Sequence, residues 1–150
     1  MGGYVNLEYT LPNGNTAKFL NDNATYLKST ITEYNYDANW LICEIEYFEN
    51  GSRYVYTDPC LLTNELEELI FALSKIIKGE ESSYISDFME PYLKIAIAKV
   101  ENKMLFIVNF VYDTLDGIWK TRKITSVVEV EHAVQILNEL KELQRKYPER

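Results

Sequence analysis

Trp40-Leu41-Ile42-Cys43-Glu44-Ile45-Glu46-Tyr47-Phe48-Glu49-Asn50-Gly51-Ser52-Arg53-Tyr54-Val55-Tyr56-Thr57 is the stretch that decides the fold. Two β-rich runs, Trp40 to Phe48 and Arg53 to Thr57, flank an Asn-Gly pair. A two-residue hairpin loop needs positive φ at both central positions, and Asn and Gly tolerate it best. With Asn50 and Gly51 as the loop, Tyr47 faces Tyr54, Ile45 faces Tyr56 and Cys43 faces Asp58. The other face then sets Glu46 by Val55 and Glu44 by Thr57. Side chains alternate along a strand, so Ile45, Tyr47, Tyr54 and Tyr56 turn to the core and two carboxylates line the reverse.

Downstream, Asp58-Pro59-Cys60-Leu61-Leu62 ends the hairpin, because proline cannot donate to a ladder. A helix is expected from near Thr63, with Thr63 or Asn64 as N-cap and Glu65, Glu67 and Glu68 at the positive end of its dipole. Leu66, Leu69, Ile70, Leu73, Ile76 and Ile77 recur at helical spacing, Lys75 and Lys78 sit at the negative end, and Gly79 is the stop. A second hairpin follows. Asn102-Lys103 as its turn opposes Leu93, Ile95 and Ile97 to Tyr112, Phe110 and Val108, while Ala96 and Ala98 on the reverse leave room for another element. Asp116-Gly117 turns the chain into a partly basic strand, Ile118 to about Thr125, carrying Trp119, Lys120, Arg122 and Lys123 and read as a solvated edge. The last element, about Val130 to Tyr147, is amphipathic through Ala133, Ile136, Leu137, Leu140 and Leu143. The first 35 residues read as short strands, Lys28 to Tyr34 among them, punctuated by Pro12-Asn13-Gly14-Asn15 and Asn21-Asp22-Asn23. Strands, helix, strands, helix with hairpin links predict an α+β fold: a hairpin-rich antiparallel sheet with two amphipathic helices on one face, as a single domain over 1–150.

Charge is unevenly placed. Residues 1–92 carry 15 acids and five bases, a net of −10, whereas residues 93–150 carry eight acids and ten bases, a net of +2. A negative field repels phosphate backbones and attracts cationic proteins, so a basic protein partner is expected and direct nucleic-acid binding is not. Two cysteines and one histidine give neither a disulfide framework nor zinc-type spacing, so no metal or other cofactor is expected. The thiols fit a reducing, cytoplasmic setting. No apolar run approaches the roughly 18 residues of a membrane span.

Candidate chemistry is thin. His132 lies in the first turn of the final helix beside Glu131, with no Ser or Cys motif near it, and reads as a solvated surface histidine. Asp37, Glu44, Glu46 and Asp58 are enough carboxylates for a paired hydrolytic site, or for an ordinary surface; spacing does not separate the two. Asp37, Asn39 and Asp58 read either as contacts or as turn and cap formers. Cys43 and Cys60 read as buried thiols.

Tyr36-Asp37-Ala38-Asn39-Trp40-Leu41, Asp58-Pro59-Cys60-Leu61-Leu62-Thr63, Glu65-Leu66-Glu67-Glu68-Leu69 and Phe88-Met89-Glu90-Pro91-Tyr92-Leu93, in that order, resemble the WapI-type bacterial immunity proteins. The resemblance runs from about Tyr36 to the C-terminus. It implies a cytosolic antidote, not an enzyme, that neutralises the C-terminal domain of a contact-dependent, wall-associated toxin, a tRNA-cleaving nuclease in the founding pair. Read together with the charge, it makes Asp37, Asn39, Glu44, Glu46, Glu65 and Glu68 the expected contacts for a basic toxin domain. A small carboxylate-dependent hydrolase and a scaffolding module are the alternatives.

Overall fold

The computed structural model describes residues 4–5, 26–34, 39–49 and 51–150. Its elements in chain order are β1 (Tyr4–Val5), β2 (Tyr26–Tyr34), β3 (Trp40–Glu49), β4 (Ser52–Leu62), α1 (Thr63–Ile77), β5 (Ser83–Ile85), β6 (Leu93–Val100), β7 (Lys103–Leu115), β8 (Ile118–Glu129) and α2 (Val130–Lys146). The fold is α+β. Among the described residues the strands form two antiparallel sheets rather than the one expected, ordered β1-β2-β3-β4 and β5-β6-β7-β8. Asn13, Asn21 and the turn segments around them lie outside the described residues, as do Asp37 and Asn50.

The first hairpin has the expected register: Tyr47 pairs with Tyr54, Ile45 with Tyr56, Cys43 with Asp58, Glu46 with Val55 and Glu44 with Thr57. Gly51, at φ +84°, supplies the backbone the tight loop needs. Pro59 does not end the strand. A bulge between Leu41 and Ile42 lets Ile42 pair with Pro59 and Leu41 with Leu61, so β4 runs on to Leu62 and Cys60 sits in a strand. An extra residue of this kind absorbs a missing donor without breaking the ladder.

The second hairpin slips by two residues from the expected pairing. Leu93 meets Phe110, Ile95 meets Val108 and Ile97 meets Phe106, because Glu101 takes φ +57° and the turn lies at Glu101-Asn102. A two-residue slip keeps each side chain on its face, so the apolar face survives the change. Strand β8 is longer than expected and is the edge of its sheet, with Trp119, Arg122 and Lys123 exposed.

Both helices turn their apolar stripes to one core. Leu66, Leu69, Leu73 and Ile76 of α1 and Ala133, Ile136, Leu140 and Leu143 of α2 join Leu41, Ile45 and Tyr47 of the first sheet and Ile95, Ile97, Phe106 and Phe110 of the second. The sheets meet through aromatic rings: Tyr47 lies 5.0 Å from both Phe110 and Tyr112. Tyr54 reaches Tyr112 at 4.9 Å. Such ring pairs add to the burial they accompany.

Helix α1 begins at Thr63 with Leu62 at the cap, one residue earlier than expected. No hydroxyl or amide caps it. Glu65 reaches back instead: Oε1 accepts the Leu62 N–H at 2.9 Å, and Oε2 accepts the Met89 N–H at 2.7 Å. Glu65 is 6% exposed, so its charge is held by backbone donors and by the helix dipole. Gly79 stops the helix as expected, at φ +79°, its N–H donating to Ile76 O at 3.1 Å. His132 is 3% exposed, not solvated, because α2 rolls its first turn into the core beside Ala133.

Replacing Glu65 with alanine leaves two amides without their acceptor and is expected to cost on the order of 3 kcal/mol. Urea unfolding measures the cost, with glutamine at this position losing less. Unchanged hydrogen exchange at the Leu62 and Met89 amides would show that no such clamp exists.

Candidate interaction surface

Among the described residues, the expected contacts Asn39, Glu44, Glu46, Glu65 and Glu68 do not form one patch. Glu44 and Glu46 project from the outer face of the first sheet, since Cys43, Ile45 and Tyr47 between them point into the core. Both are half-buried, and Glu46 Oε1 accepts Arg53 Nε at 2.9 Å and Nη2 at 2.6 Å. Helix α1 packs on the opposite, inner face, so Glu68 is separated from them by the sheet itself. Glu65 faces inward.

Asn39 is committed to the fold. Its backbone oxygen accepts the Thr63 N–H at 2.9 Å, which ties the start of β3 to the start of α1. Its side chain exchanges two bonds with Arg150, donating from Nδ2 to the carbonyl at 3.3 Å and accepting the N–H at Oδ1 at 2.7 Å. Nearby, Tyr147 Oη donates to Thr32 O at 3.0 Å, Tyr34 Oη donates to Pro148 O, and the Arg150 guanidinium lies 3.9 Å above the Tyr34 ring.

Asp58 is occupied by tyrosines. It accepts Tyr56 Oη at 3.3 Å, and its bond to the Tyr92 hydroxyl is the main cause that raises the Tyr92 phenol above its ordinary value of 10.0, burial adding to it. Rings continue the cluster outward, from Tyr56 to Tyr92 at 5.5 Å and on to Trp119 at 5.0 Å, the last 44% exposed. Cys43 and Cys60 are both buried. Burial first, then the Cys43 thiol, pushes Cys60 well above the ordinary thiol range, so it is an inert core group. Among the described residues no group of three or more His, Cys, Asp or Glu is placed to hold a metal ion.

What the fold does gather is the acid around α1 and β5. Residues 63–92 carry seven acids and two lysines, and Glu67, Glu68, Glu80, Glu81 and Asp87 are exposed. Between the two elements runs an open groove of about 240 Å³, lined by Glu68, Phe71, Lys75, Glu81 and Tyr84 with the small side chains of Ala72 and Ser83. Phe71 is 62% exposed at its wall. The Tyr84 hydroxyl is buried and accepts or donates no hydrogen bond of ordinary length among the described residues. Burial, and after it the Glu68 carboxylate, raises its phenol. No signal in sequence spacing brings Glu68 and Glu81 to one groove; the turn after Gly79 does so.

A family profile described as the immunity protein WapI-like family matches residues 18–148. The chain belongs to that family. Comparison with curated proteins returned no match. Membership makes this WapI-like chain an immunity protein, one whose partner is a cognate toxin protein. Of the stretches that carried the resemblance, Glu65-Leu66-Glu67-Glu68-Leu69 and Phe88-Met89-Glu90-Pro91 touch through the Glu65 to Met89 bond, so in this WapI-like protein they are one structural unit. No helix among the described residues is long and apolar enough to cross a membrane.

The raised phenols of Tyr56, Tyr84 and Tyr92 give a pH dependence. A folded pKa above the unfolded one contributes stability that is fully present below pH 10.0 and is lost as pH rises through the folded values. Stability is therefore expected to fall in the alkaline range above pH 10, with the tyrosinate absorbance rising late. In Asp58→Asn, Tyr92 should ionise closer to the ordinary value; an unchanged absorbance titration would dissociate Tyr92 from Asp58.

Proposed function

We propose that the protein neutralises its toxin by stoichiometric association, acting in the cytoplasm, and that the toxin domain is a nuclease with a basic surface. The observation that carries this reading is the concentration of exposed acid on the α1–β5 side: Glu67, Glu68, Glu80, Glu81 and Asp87 against Lys75 and Lys78. A nuclease must attract phosphate and so presents cationic groups, which an acidic face both steers and covers. No chemical step is needed; occupying the toxin is enough. Of the contacts expected from the sequence, Glu68 stays in this surface. Asn39 and Glu65 are assigned to holding the fold, while Glu44 and Glu46, across the sheet, act on the partner only through the long-range field. Asp37 stays a proposed contact from sequence.

The experiment is a calorimetric titration of the protein into the toxin domain encoded beside it, with RNA cleavage followed in the same samples. Saturable one-to-one binding with loss of cleavage is expected. Charge reversal of Glu67, Glu80 and Asp87 to lysine should slow association about tenfold or more at low salt, with the difference shrinking at high salt and the fold intact. An unchanged association rate would remove the acidic face from the interface. Binding without any effect on RNA would leave the antidote role and remove the nuclease.

A further inference from the structure

The groove between α1 and β5 is built for one particular kind of contact. Its volume of about 240 Å³ lies below the roughly 300–1,000 Å³ of pockets that enclose a small molecule or cofactor, but is ample for one long side chain. Carboxylates line it from two elements, Glu68 from α1 and Glu81 from the turn before β5. One wall is the exposed ring of Phe71, over which the protein's own Lys75 already places its ammonium, 4.6 Å from the centroid. That distance is inside the range at which a ring face attracts a cation. The Tyr84 hydroxyl, buried beside the Glu68 carboxylate, is a further polar group at the groove. Two carboxylates and an aromatic face in one side-chain-sized space favour a cation that is both planar and a multiple donor. A guanidinium stacks on the ring while its fork donates to carboxylates, and it sheds water more readily than an ammonium does.

We propose that this groove receives one arginine side chain of the toxin domain, and that Lys75 lies over the Phe71 seat until the toxin displaces it. The inference rests on the reading that a basic partner docks on the acidic face, and adds where that partner anchors. Steering by the rim governs encounter; the groove governs how long the complex lasts. The two therefore separate kinetically, because rim charges change association and a desolvated, paired charge changes dissociation.

The test measures rate constants for the toxin domain with the unmodified protein, the Glu68→Gln/Glu81→Gln double variant, Phe71→Ala, Lys75→Met and Lys78→Met. The double variant should dissociate roughly tenfold faster or more, and Phe71→Ala roughly 3- to 30-fold faster. Lys75→Met should dissociate more slowly than Lys78→Met, which makes the same charge change on the exposed residue outside the groove. Urea midpoints close to that of the unmodified protein exclude a folding effect. In parallel, N-acetylarginine amide is titrated into the free protein and followed by amide NMR shifts. Shifts centred on Phe71 and Tyr84 that vanish in the double variant are expected. Toxin binding with unchanged dissociation in the variants and no arginine-amide shifts would overturn the groove and leave the acidic-face reading standing. Arginine-amide shifts at the groove without toxin binding would do the reverse, and neither signal would remove both.

Discussion

Everything in this molecule depends on Tyr47 being wedged between two sheets. Its ring is among the largest fully buried side chains and meets Phe110 and Tyr112 of the second sheet, while Tyr54 of its own sheet closes over Tyr112. Without that junction each sheet would have one helix-covered face and no common interior. With it, α1 and α2 pack into a single core bounded by strands from both halves of the chain. The junction also fixes where the acidic side of α1 emerges, because α1 cannot rotate without withdrawing Leu66, Leu69 and Leu73 from that core.

Local patterns were legible in proportion to how local their causes are. The β3–β4 register followed from Asn50-Gly51 and alternation alone, and α1 followed from its stripe and Gly79. Long-range partners were not legible. Alternation says which face of a strand is apolar but not what lies across it, so one sheet was expected where two face each other. Pro59 read as a stop because the extra residue that accommodates it, Cys60, shows only against the partner strand, where Leu41 and Ile42 are consecutive but pair with Leu61 and Pro59. Glu65 read as a surface acid because its second donor, Met89, is 24 residues away. His132 read as solvated from its residue type, although its place four residues before Ile136 and eight before Leu140 puts it on the apolar stripe of α2.

The division of acidic residues into two kinds is the main functional lesson. Glu65 and Asp58 are acceptors for internal donors and shape the chain. Glu67, Glu68, Glu80 and Glu81 are exposed, and in the proposed reading they face the partner. Less than one turn of α1 separates these roles: Glu65 folds back over the cap while Glu68, three positions on, lines the groove.

The apolar reverse of the second sheet adds a different consequence. Pairing sets Ile85, Ala96 and Ile107 in one row, and Ala98, Leu105 and Val127 in the next, with Ile85 and Val127 exposed. No described helix lies over these rows, where the small Ala96 and Ala98 had suggested a covering element. A flat, alanine-troughed sheet face of this kind is kept from sticking to its like by its margins, where Lys94 and Lys123 stand at one end and the Lys103–Glu129 pair at the other. The rim lysines thus act locally on a face whose outer row ends at Ser83, in the wall of the acidic groove, and they add to the net negative charge that keeps copies of the chain apart.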